Sequence, residues 1–252
     1  RAIGSMVCHD ESMVARHVVL VHGAWHGAWC WSALQAELDR RGVPSIAIDL
    51  PGHGASTAPL TDLHGDARCV VDVLEVLRSR GVEQPVLVGH SYGGAVITQA
   101  AAWHPHLSHL VYVAAFAPND GESVMSALLS FPPAKVGLQA AMVGRDDGTS
   151  VLDPILAKTA LYGDCDPVAA DAALARLSPQ PNATVSQAVA GSPRDSIAST
   201  YVLCTRDDSV HPDHQAIMAE RCRSTVRIET DHSPFLSSVR ETADVLEGIA
   251  RS

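Results

Sequence analysis

The residues best suited by type and spacing to do chemistry begin with a serine held between glycines. Ser91 lies in Gly89-His90-Ser91-Tyr92-Gly93-Gly94, directly behind the apolar run 85–88 and ahead of a small-residue stretch. A serine on a sharp strand-to-helix turn needs nearly side-chain-free neighbours two residues either side, and Gly89 and Gly93 meet that need. Its hydroxyl becomes a nucleophile only when a base takes the proton and a carboxylate orients that base. On such a turn the acid and then the histidine come later in the chain, each just after a strand. Residues 205–210 (TRDDSV) and 229–234 (ETDHSP) occupy those places, and His232 is the only histidine after His214. Asp207 and Asp208 compete for the acid role, with Asp120 as a third choice.

Elements must carry these residues to one place. Short β-branched runs at 17–21, 43–50, 85–89, 107–114, 197–204 and 225–228 read as strands. Helical periodicity marks 31–40, 66–80, the stretch behind Ser91 to about 102, and 239–250. In 66–80, Val70, Val73, Leu74 and Leu77 follow three-four spacing and Gly81 stops the helix. Doubly buried strands joined by helices predict an α/β fold with a mainly parallel sheet of six strands or slightly more, flanked by helices. Between 118 and 195 the rhythm breaks. Helix-like pieces at 124–129 and 168–177, several prolines and no convincing buried strand predict an inserted helical cap. The expected organisation is a core of 17–117 and 196–252, a cap of 118–195, and a lead-in of 1–16 whose first five residues read as a vector-derived remnant.

With 252 residues, 46% of them hydrophobic, the chain can bury one large core. A formal charge of −10, spread without an acidic tail, argues against nucleic-acid and anionic-membrane partners. No apolar run approaches the roughly 20 residues of a membrane span. The six cysteines form no C-x-x-C pair and several sit in apolar runs, so they read as buried thiols of a cytoplasmic protein. No G-x-x-x-x-G-K-[ST] phosphate loop occurs, and His104, His106, His109, His211 and His214 build no metal-ligand set, so neither metal nor cofactor is expected.

The motifs LVHGAWHGAW, DLPGHGAS, VGHSYGGA, YVLCTRDDSVHPDHQ and TDHSPF together resemble the α/β-hydrolase superfamily. Within it, they look like the plant methylesterase and hydroxynitrile lyase group and its bacterial esterase-like relatives. The resemblance covers nearly all of 17–250. In that family the acid lies in a Tyr-Val-x-x-x-x-Asp loop with Pro five residues on and Gln three beyond; from Tyr201 this implies Asp207, with Pro212 and Gln215 in step. It further implies that the backbone N–H groups of Ala24 and Tyr92 form an oxyanion hole, with Gly23 letting the backbone pass close to the substrate and Trp25 walling the acyl pocket. Trp29 and Trp31 are expected under the following helix, and the second His-Gly, His26-Gly27, is expected to make only a turn.

The related lyases carry a threonine after the strand-end histidine and a lysine after the catalytic histidine. Here those positions are Gly23 and Ser233, so the resemblance implies hydrolysis of a small carboxylic ester or lactone through an acyl-enzyme on Ser91. The alternative is a non-hydrolytic member of the fold: a lyase, a cyclisation or rearrangement catalyst in a biosynthetic pathway, or a small-molecule binder. From the cap, Met125, Leu128, Leu129, Phe131, Leu161 and Tyr162 are candidate pocket lining for a small-molecule ester.

Overall fold

The computed structural model describes residues 15–252; the expected lead-in, apart from its last two residues, and Cys8 lie outside them. In chain order the first elements are β1 (Val18–Val21), α1 (Ser32–Arg40), β2 (Ser45–Ile48), α2 (Leu63–Ser79), β3 (Val86–His90), α3 (Gly93–Trp103) and β4 (His109–Val113). Next come α4 (Val124–Ser130), α5 (Gly137–Ala141), β5 (Met142–Gly144), β6 (Thr149–Leu152), α6 (Pro154–Tyr162), α7 (Pro167–Leu174), β7 (Gln180–Pro181) and α8 (Ala183–Ser186). The chain closes with β8 (Ala198–Cys204), α9 (Pro212–Ala219), β9 (Ser224–Ile228), α10 (Pro234–Ser237) and α11 (Val239–Ala250).

The main sheet has six strands in the order β2-β1-β3-β4-β8-β9, each pair parallel. Side chains alternate across it with the period of two that a strand imposes. Val19, Val21, Leu87 and Leu110 pack toward α2 and α3. Val18, Leu20, Val86 and Val88 pack toward α1 and α11. Both faces are therefore covered, which is why these strands read as unbroken apolar runs rather than alternating ones.

Element ends follow capping chemistry. The Asp62 carboxylate accepts from Gly65 N–H to start α2. Asp153 and Asp166 do the same for α6 and α7, each with a proline in the first turn. The segment between β4 and β8 differs from expectation in one respect. Besides helices it holds a three-stranded antiparallel sheet, β5-β6-β7. β5 is three exposed residues and β7 is two residues ending in a proline. Pieces so short carry no readable period, and a proline ordinarily argues against a strand unless it lies at an edge. All parallel strands run one way, so the turns after β1, β3, β8 and β9 gather at the sheet's carboxyl edge, where open α/β sheets place their ligands.

Candidate active site

Ser91 occupies the sharp turn between β3 and α3 with φ of +51°, a left-handed conformation that costs a non-glycine residue about 1–3 kcal/mol. The turn is too tight for neighbouring side chains: a Cβ on Gly89 would lie 2.4 Å from the Gly93 carbonyl oxygen. The backbone is tied in place, Ser91 N–H donating to Val113 O at 3.2 Å and Ser91 O accepting from Phe116 N–H at 3.0 Å.

His232 lies in the loop between β9 and α10, and its Nδ1 bonds Asp207 Oδ2 at 2.7 Å with both side chains buried. Asp207 also accepts from Ser209 N–H at 2.7 Å, Val210 N–H at 2.9 Å and Gln215 Nε2 at 2.8 Å. A carboxylate so supplied with donors only accepts, so His232 carries its hydrogen on Nδ1 and presents the Nε2 lone pair on its opposite edge. The competing acids are engaged elsewhere: Asp208 accepts from Gly137 N–H and Asp120 from Gly191 N–H. His90, next to Ser91, donates from Nε2 to the His232 carbonyl at 2.9 Å and ties the serine turn to the histidine loop. Ser91 Oγ and His232 Nε2 make no hydrogen bond among the described residues, to each other or to a third group; apo sites often show this bond long or open.

The backbone N–H groups of Ala24 and Tyr92 likewise donate to no acceptor among the described residues, and both residues line the same cavity as Ser91. The loop bearing Ala24 is held from behind. His22 donates from Nδ1 to Gly23 O at 2.8 Å and accepts from Leu50 N–H at Nε2. His26 donates from Nδ1 to Ala24 O at 2.8 Å, and its Nε2 accepts from the Tyr162 hydroxyl at 2.7 Å. Burial drives the His22 imidazole down to about 3 and His26 to about 4, so both stay neutral and keep these fixed roles. Trp25 stands at φ +63°, its N–H donating to Gln180 Oε1 and its indole to Ser150 O.

Trp25, Met125 and Leu128 line the cavity, which measures about 150 Å³ and is walled mostly by apolar side chains. That volume is of the size that accepts a benzene ring. Four sequence-based expectations for the lining are corrected. Leu129 is 79% exposed, one residue round α4 from Leu128. Phe131 is buried against the His214 ring, 5.3 Å away, outside the cavity wall. Leu161 and Tyr162, the last residues of α6, pack into a core with Ala141, Ala170 and Ala173. Gly23, expected to lie against the substrate, is also corrected: it is not on the cavity wall but packs against the serine turn, where a Cβ would meet His90 Nδ1 at 2.8 Å and Ser91 Cβ at 2.9 Å. Trp31 is fully buried against Phe235, and Trp29 stacks beside His26.

Sequence reasoning missed His26 as the anchor of the Ala24 peptide, and it missed His211 and His214 on the cavity wall. The last two flank Pro212 just past the acid loop, so their nearness to Asp207 in sequence was the available signal.

Residues 18–245 match the family model described as the alpha/beta hydrolase family. The chain belongs to that family. Methylesterase 9 of Arabidopsis thaliana is 30% identical over 251 residues, spanning 93% of this chain and 98% of the relative. Norfluorocurarine synthase 2 of Strychnos sp is 28% identical over 251 residues, spanning 92% and 94%. The solved pyrethroid hydrolase of Sphingobium faniae JZ-2 superposes with a TM-score of 0.83 at 22% identity, covering 94% of this alpha/beta hydrolase and 98% of that chain. At such identity the likeness carries the fold.

Proposed function

We propose that this alpha/beta hydrolase is a carboxylesterase-type serine hydrolase of small, uncharged esters or lactones. Ser91 attacks the ester carbonyl while His232 Nε2 takes its proton, and Asp207 holds the imidazole in that tautomer and stabilises the imidazolium. The Ala24 and Tyr92 N–H groups receive the oxyanion, a contact worth about 10²–10³ in rate per donor because the charge exists only in the transition state. His232 then returns the proton to the leaving alcohol, and water, activated by the same imidazole, releases the acid from Ser91.

The observation that carries this reading is the coincidence of unspent groups. One hydroxyl on a strained turn, one imidazole oriented by a saturated carboxylate, and two free backbone donors share one end of the fold. The apolar cavity favours an uncharged substrate. No helix among the described residues is long and apolar enough to cross a membrane. The five described cysteines are free thiols, which suits a reducing compartment, and a cytoplasmic location is part of the proposal.

Ser91→Ala is the test. It is expected to remove turnover of p-nitrophenyl acetate to background and to abolish labelling by a serine-directed fluorophosphonate, with an unchanged melting temperature. Wild-type-like turnover in this variant would refute the nucleophile, and a folded wild-type protein that takes no label would favour a non-hydrolytic role.

A further inference from the structure

His211 and His214 are the unexplained polar groups of the cavity. Every other polar side chain on its wall except two is accounted for. Tyr92 donates its hydroxyl to Asp66, and Ser209 donates its own to Ala160 O. Ser91 is the proposed nucleophile, and Gln139 lies exposed at the rim.

The hydrogen bonds of the two histidines fix which nitrogen carries the hydrogen. His211 Nδ1 accepts from Asp213 N–H at 3.2 Å, capping α9. The Asp213 carboxylate, 3.6 Å from the same nitrogen, would ask for the opposite tautomer, but it is 88% exposed and beyond hydrogen-bonding distance. The backbone donor therefore decides, and His211 carries its hydrogen on Nε2. His214 Nε2 lies 2.8 Å from the carbonyl of Pro132, an acceptor only, so His214 carries its hydrogen there and leaves a lone pair on Nδ1. The ring centroids are 5.8 Å apart. His211 Nε2–H has no acceptor and His214 Nδ1 no donor among the described residues, and neither atom is among the fully buried unpaired ones.

We propose that this pair is the specificity element of the cavity and selects an ester whose cavity-filling group is an apolar ring ending in a hydroxyl. A hydroxyl is the smallest group that accepts from His211 Nε2–H and donates to His214 Nδ1 at once. A methyl group leaves both unpaired. A carboxylate sets a negative charge against the Nδ1 lone pair, in a cavity lined by no lysine or arginine among the described residues. A site built to bond a hydroxyl discriminates strongly against the analogue lacking it. The proposal rests on the reading of this cavity as an ester site and names its substrate class.

Binding tests it apart from catalysis. In Ser91→Ala protein, dissociation constants are measured for methyl 3- and 4-hydroxybenzoate, the matching methylbenzoates and monomethyl terephthalate. 4-Hydroxyphenethyl and 4-methylphenethyl acetate put the ring in the alcohol half. In at least one series the hydroxylated member is expected to bind about tenfold more tightly than its methyl counterpart, with the carboxylate weakest. Adding His211→Asn keeps a side-chain acceptor for Asp213 N–H and removes Nε2–H. Adding His214→Gln keeps the donor to Pro132 and moves the acceptor away from the Nδ1 position. Each is expected to abolish the preference by weakening the hydroxylated member alone, with the melting temperature held. Equal or tighter binding of the methyl rings, a preference that survives both variants, or no binding in either series overturns the proposal. A hydroxyl preference in binding without ester turnover by the wild type would instead overturn the hydrolytic reading and leave the pair's role standing.

Discussion

Asp207 and Asp208 are adjacent, chemically identical and both bonded, yet they face different work. Asp207 Oδ2 meets His232, whereas Asp208 Oδ1 meets the N–H of Gly137, the first residue of α5. Asp207→Asn places an amide that both donates and accepts where the carboxylate only accepted, which lets His232 adopt the wrong tautomer. Its kcat on p-nitrophenyl acetate is expected to fall by about 10⁴ with little change in KM. Asp208→Asn retains an acceptor for Gly137 N–H and is expected to stay within a few-fold of wild type. Equal losses in the two variants would show that the loop, rather than the carboxylate on the imidazole, is what matters. Sequence alone left these two residues in competition, because nothing in the dipeptide says which side chain turns inward. The resemblance to a family loop chose Asp207, and the geometry puts the same residue on the histidine.

At the scale of elements, the loop after β1 and the segment between β4 and β8 depend on each other. Gln180 of β7 accepts from Trp25 N–H, and Tyr162 of α6 bonds His26, which holds the Ala24 carbonyl. Gln180→Ala removes the acceptor that keeps Trp25 at positive φ, so the neighbouring Ala24 N–H loses its aim. A drop in kcat of about tenfold at nearly constant KM is expected, because an oxyanion donor matters only in the transition state. A change in KM alone would make Gln180 a wall of the cavity and nothing more. The strands and helices around this loop were legible in the sequence because doubly buried strands read as short unbroken apolar runs and helix burial repeats with a period of 3.6. The Gln180 and Tyr162 contacts were not. They join residues more than 120 positions apart through single polar atoms, and no periodicity encodes which buried glutamine or tyrosine finds which loop. For the same reason Leu161 and Tyr162 looked like pocket lining: an apolar pair on a short helix reads alike whether it faces a ligand or the cap's own core.

For the whole molecule, the buried imidazoles set a cost that appears only in acid. His22 is held at about 3 and His26 at about 4 by desolvation, against 6.5 when exposed, and His90 is pushed well down by burial and by the neighbouring His232. Between pH 6.5 and about 4 the unfolded chain therefore binds protons that the folded one refuses, so unfolding free energy rises with pH across that window. Stability is complete above pH 6.5 and is lost as pH falls. By pH 5 His22 and His26 together remove roughly 4 kcal/mol, a large part of the 5–15 kcal/mol typical of a domain. Asp66 works the other way: burial raises its carboxyl, so the folded chain binds a proton earlier than the unfolded one and offsets part of the loss at the acid end of the window. Urea unfolding at pH 7.5, 6 and 5 is expected to show a steep decline, and replacing His26 with asparagine should flatten the slope by up to about 1.4 kcal/mol per pH unit. A flat profile from 7.5 to 5 would mean that these rings are protonated in the folded state. His26 could not then accept from Tyr162 at Nε2, and the loop that presents Ala24 N–H would have lost its anchor.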